Sequence, residues 1–156
     1  MDYIISEHKA KYDNWIKTIL PLPLAIVLFT SFMLRKKEPE AILVLGGSFI
    51  LLIFIFWLIM PRKFLIMSNK MKIILGASVS FNIPYNNIDL VRELGGKNFG
   101  INYSTSLKTA VEIVVKKGMN INFSPENRGQ FIQDIDKAME IWREYKRKYD
   151  QSYRLA

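Results

Sequence analysis

The sequence predicts two transmembrane α-helices followed by an α+β domain, in which a seven-stranded antiparallel bent sheet or partial barrel is capped by a C-terminal α-helix. Three observations carry this. Residues 18–61 hold charges only at Arg35, Lys36, Lys37, Glu38 and Glu40. From residue 63 the apolar residues fall into short runs, mostly alternating with a period of two and broken by turn-forming clusters. After residue 125 one apolar stripe at helical spacing replaces the alternation.

The stronger of the two apolar segments is 41–60, twenty residues without a charge. At about 1.5 Å per residue it spans roughly 30 Å, the thickness of a bilayer core. Residues 18–34 form a shorter charge-free run with Pro21 and Pro23 near its start, where a missing N–H costs least. No small-x-small cleavage pattern follows it, so an uncleaved anchor is expected. Only residues 35–40 separate the segments, which predicts an antiparallel hairpin with both termini on one side. That side carries Lys9, Lys11, Lys17, Arg62, Lys63, Lys70 and Lys72, against Arg35, Lys36 and Lys37 in the loop. The excess predicts a multi-pass cell-membrane protein with cytoplasmic termini.

Before the hairpin, Ile4, Ile5, His8, Tyr12, Trp15 and Ile16 suit either a short amphipathic helix or a frayed polar terminus. The chain thus divides into an N-terminal segment (1–17), the hairpin (18–61), a folded domain (62–145) and a basic, aromatic helix extension (146–156). Trp15, Lys17, Arg62 and Lys63 flank the apolar segments and are expected to touch a membrane surface.

In the domain, strands are expected at 64–67, 71–75, 79–83, 88–94, 99–103, 111–115 and 119–123, with connections mostly too short for parallel crossovers. Ser124 then reads as an N-cap, with Pro125 and Glu126 suited to a first helical turn. Phe131, Ile132, Ile135, Ala138, Met139 and Trp142 make the stripe that covers the sheet.

Several segments resemble the bacterial and archaeal pleckstrin-homology-like domains, many of which follow a pair of membrane helices. The residues are Asn82-Ile83-Pro84-Tyr85 with Ile88 and Val91, Thr105-Ser106-Leu107-Lys108 leading into Val111-Glu112-Ile113-Val114, and Gly118 with Asn122-Phe123-Ser124-Pro125-Glu126-Asn127. The likeness covers about residues 62–145 and rests on turns, strand cores and a helix cap. It implies a fold and hardly touches the ligand.

Residues 61–156 carry 16 Lys/Arg against 9 Asp/Glu, and residues 1–60 carry 6 against 5, so the basic excess lies in the domain. With no cysteine and a single histidine, His8, outside the predicted domain, thiol chemistry, histidine metal clusters and a Ser-His-Asp relay are not expected. Asp89, Glu93 and Glu112 have no metal-ligand spacing, and Ser104-Thr105-Ser106 reads as a turn. No catalytic residue, metal or cofactor is expected. Lys70 and Lys72 are too few for specific phosphoinositide recognition, and no nucleic-acid module is present.

These features predict a membrane-anchored binding or scaffolding module without catalytic activity, whose ligand is another protein or a second copy. Alternatives are peripheral binding of anionic lipid headgroups and a non-catalytic place in a membrane enzyme complex. The expected partner site is the end of the helix, where Trp142, Tyr145, Tyr149 and Tyr153 share a face with Arg147 nearby.

Overall fold

The computed structural model describes residues 3–19, 21–34, 39–95 and 100–154. Its strands are β1 (Ile4–Lys9), β2 (Lys63–Met67), β3 (Lys70–Ile74), β4 (Ser80–Pro84), β5 (Ile88–Glu93), β6 (Ile101–Tyr103), β7 (Val111–Val115) and β8 (Ile121–Phe123). Its α-helices are α1 (Asn14–Ile19), α2 (Pro21–Leu34), α3 (Pro39–Ile59) and α4 (Arg128–Arg154). The result is an α+β fold with two four-stranded sheets, ordered β1-β2-β3-β4 and β5-β7-β8-β6, and a long C-terminal helix.

All seven strands expected from alternation are present, with an eighth, β1, at the N-terminus. There the expected alternatives were a helix or a frayed end. Ile4–Lys9 instead pairs antiparallel with β2, placing His8 opposite Phe64. Its partner lies more than fifty residues away, so local spacing carried no sign of it. A single antiparallel sheet is also corrected, because β6 runs parallel to β8 while β7 pairs antiparallel with β8's other edge.

The core forms where the two sheets and α4 meet. On β2 and β3, Phe64, Ile66, Met71 and Ile73 are fully buried in the core, while Leu65 between the first two is also buried but lies outside that cluster. Phe123 from β8 meets Phe64 with ring centroids 4.6 Å apart, and Phe131 from α4 lies 5.1 Å from Phe123. Ile135, Ala138 and Met139 continue the buried stripe of α4. The helix begins later than expected. Asn127 Oδ1 accepts the Gln130 N–H at 3.2 Å, the N-cap geometry, while Ser124 is fully buried and bonded to Ser106.

Just beyond β1 the chain ties the sheets together. Ala10 forms a bridge with Pro125, the Lys11 N–H donates to the Ser124 carbonyl, and the Glu126 N–H donates to the Lys9 carbonyl. One N-terminal stretch is thereby hydrogen-bonded to the first sheet and to the link between β8 and α4.

The membrane hairpin is not supported. Among the described residues no helix is long and apolar enough to cross a membrane. The segment expected at 18–34 is divided between α1 and α2, and α2 has 14 residues, about 21 Å of helix against a bilayer core of about 30 Å. The multi-pass location and cytoplasmic termini assigned to the chain fall with the hairpin, and the expected connecting loop lies largely outside the described residues. The helices do expose apolar side chains: Leu28 is 62% exposed, Phe32 71% and Leu43 78%.

The lower end of α3 is fixed to the first sheet. The Gly76 N–H donates to the Met60 carbonyl at 3.1 Å, in a 3-10 turn at Gly76–Ser78. A Cβ at Gly76 would stand 1.9 Å from the Trp57 carbonyl oxygen, so this close approach requires glycine.

Truncation tests the shared core. Phe131→Ala should lower unfolding free energy by about 3–5 kcal/mol, because the fully buried ring fills a site bounded by both sheets. Denaturant titration measures this, and a midpoint near that of the parent chain would show that α4 does not hold the sheets together.

Candidate interaction site

The buried stripe of α4 ends at Trp142, which is half-buried and meets the Tyr85 ring edge-on at 6.2 Å. Tyr85 is almost fully buried, and its hydroxyl donates to the Met67 carbonyl at 2.6 Å. Burial pushes this phenol well above the usual tyrosine range, and it stays neutral. Trp142 therefore belongs to the core margin, anchored by a structural tyrosine.

Beyond it, residues 143–151 are all exposed although the helix continues to Arg154. Tyr145 and Tyr149 are one turn apart, 69% and 52% exposed, and stack with centroids 6.4 Å apart. Lys146, Arg147 and Lys148 form a consecutive exposed basic run between them. Lys146 Nζ lies 5.5 Å above the Trp142 ring, linking the basic run to the core margin through a cation–π contact. Tyr153 lies in the last turn of α4, but its side chain is outside the described residues. The structure thus brings Tyr145 and Tyr149 together with the basic run and leaves Trp142 mainly structural.

The residues expected at a membrane surface do not form one group. Trp15 and Lys17 belong to α1, and their side chains are outside the described residues. Arg62 lies over the Trp57 ring at 4.9 Å, while Lys63 pairs with Glu7 across β1 and β2 at 3.3 Å.

Sequence reasoning left His8 outside the domain, yet it is buried and joins β1 to α4. Its Nε2 is 3.0 Å from Asp134 Oδ2 and 3.3 Å from Ser6 Oγ, and its ring meets Phe131 edge-on at 5.2 Å. A serine, a histidine and an aspartate do therefore come together. They do not form the nucleophile–base–carboxylate relay, which needs the serine and carboxylate on opposite ring nitrogens. Here both oxygens address Nε2, so the contact fastens strand to helix.

A second polar row crosses the second sheet. Arg92, Glu112, Asn122 and Asn102 occupy successive register positions on β5, β7, β8 and β6. Glu112 is buried and accepts from Arg92 Nε at 2.7 Å and Asn120 Nδ2 at 2.8 Å. Glu93 pairs instead with Arg128 at 3.0 Å. Among the described residues no cluster of histidine, aspartate and glutamate could hold a metal ion. The Ser104-Thr105-Ser106 run is tied down by internal hydrogen bonds, although the buried Ser106 hydroxyl has no partner among the described residues. Ser104 Oγ and Ser124 Oγ share a hydrogen bond, Thr105 donates to the Lys11 carbonyl, and the Ser106 N–H donates to Ser124 Oγ.

Compared with known proteins, the chain matches no protein-family model and no curated protein.

Asn122 offers a test of the polar row. Its side chain is fully buried, and neither amide atom has a hydrogen-bond partner among the described residues. Replacing it with the similarly sized leucine removes an uncompensated desolvation cost. Asn122→Leu should therefore stabilise the chain by about 1–3 kcal/mol, seen as a higher denaturant midpoint with an unchanged slope.

Proposed function

We propose that this chain is a non-catalytic binding or scaffolding module of pleckstrin-homology-like architecture, whose ligand is another protein docked on the outer part of α4. Two sheets, a C-terminal helix and the Ile83-Pro84-Tyr85 corner support the architectural reading, with Tyr85 buried under that helix. The observation that carries the functional reading is the continuation of α4 past Trp142. Residues 143–154 project about 18 Å beyond the last half-buried anchor, presenting stacked tyrosines within a basic run.

Tyrosine and arginine often dominate protein interfaces, since they combine large contact area with directed hydrogen bonds. The charge pattern selects the kind of partner. An isologous pair of these helices would bring two Lys146-Arg147-Lys148 runs to one interface, where like charges repel. An acidic protein surface complements the same run and speeds encounter. The non-catalytic part of the proposal rests on the roles of His8, Asp134 and Glu112, each engaged in a contact that fastens one element to another.

A photoreactive benzophenone amino acid at position 149 of the full chain, in its native cells, tests this reading. We expect a discrete adduct with a second, acidic protein, lost on combined Lys146→Glu, Arg147→Glu and Lys148→Glu substitution. Adducts only between copies of this chain, no discrete adduct, or one indifferent to charge reversal would overturn the proposal.

A further inference from the structure

Two adjoining apolar cavities lie beside the lower half of α3, away from the outer part of α4. The first, about 400 Å³, runs between Phe49, Leu52 and Phe56 of α3, Ile16 of α1 and the chain around Tyr103. The second, about 380 Å³, reaches Tyr12, Trp57 and Arg62. Both are bounded by Ile16, Ile53, Phe56 and Met60, so they meet at a shared wall. Each falls within the size range of small-molecule sites.

The distribution of polar groups defines the occupant. At the far end of the first cavity, Asn102 Oδ1 already accepts the Ser104 N–H, Ser104 Oγ bonds within its loop, and Thr105 donates to the Lys11 carbonyl. The rest of its lining is almost wholly apolar and favours hydrocarbon. In the second cavity the Tyr12 hydroxyl donates to the Pro61 carbonyl, and burial raises its pKa further than nearby Arg62 lowers it. Arg62 is the cation at this end. Its guanidinium carbon lies 4.9 Å from the Trp57 ring centroid, the residue is exposed, and it belongs to no ion pair among the described residues.

We propose that the two cavities form one site for an anionic long-chain amphiphile, with the hydrocarbon chain in the first cavity and the carboxylate or phosphate at Arg62. The chain runs over the lining that the two cavities share at Ile16 and Ile53. A guanidinium matches either anion with paired hydrogen bonds, so a free fatty acid and an acyl phospholipid share the required chemistry.

The test uses the full chain with Trp15 and Trp142 changed to phenylalanine, leaving Trp57 as the sole reporter beside the second cavity. Titration with 9,10-dibromostearate should quench Trp57 emission saturably at one site. Arg62→Gln should weaken binding of this acid by about tenfold or more while leaving the corresponding neutral alcohol nearly unchanged. Ile53→Asp places a charge on the shared wall at a residue already 49% exposed, and should abolish saturable quenching by both probes. Unchanged circular dichroism separates that loss from unfolding, and if Ile53→Asp unfolds the chain, Arg62→Gln alone decides. Competition by oleate assigns the site to a free acid, and competition by phosphatidylglycerol to a phospholipid. Unsaturable quenching, equal effects of Arg62→Gln on acid and alcohol, or competition by neither lipid would overturn the proposal.

Discussion

Contact among Phe64, Phe123 and Phe131 decides whether two small sheets become one body. Each ring comes from a different layer, and the three centroids lie between 4.6 and 6.1 Å apart. A four-stranded sheet with one apolar face must cover it, and here each sheet and the helix cover one another. The burial of Ile66, Ile73, Ile113 and Ile135 follows from that convergence. The first turns of α4 are thereby a structural wedge, and the same helix has an outer part left free of that duty.

Much of the domain was legible because its signals are local. Alternation located seven strands, and the stripe from Phe131 to Trp142 located the buried face of α4. Pairing was less legible. β6 looks like its antiparallel neighbours in sequence, since direction depends on where the chain returns. The N-cap was displaced from Ser124 to Asn127 because Ser124 is drawn inward to bond Ser106, a contact between residues eighteen apart.

The expected interaction site was only partly legible. Tyr145 and Tyr149 are exposed together, as their four-residue spacing implies, but Trp142 is drawn into the core margin by Tyr85. His8 was expected outside the domain, in the N-terminal segment. In β1 it shares a strand face with Ser6, and only the distant Asp134 and Phe131 make that face part of the interior. The apolar content of residues 41–60 was read correctly as composition, yet composition alone did not establish a crossing. It also said nothing about Gly76, whose missing side chain lets the end of α3 meet the sheet.

Because β1 and β2 are neighbours, the whole stretch from residue 11 to residue 61 is an insertion between adjacent strands. Its two ends are hydrogen-bonded to each other, the Ala10 N–H to the Arg62 carbonyl at 3.0 Å. The three helices α1, α2 and α3 thus leave and re-enter the domain through one narrow doorway. Strand register works there as a latch. Sliding β1 by a single residue would exchange its faces, withdrawing His8 from Asp134 and turning Glu7 toward Phe131. Such a slip places a carboxylate against an aromatic core, so the doorway has one closed position.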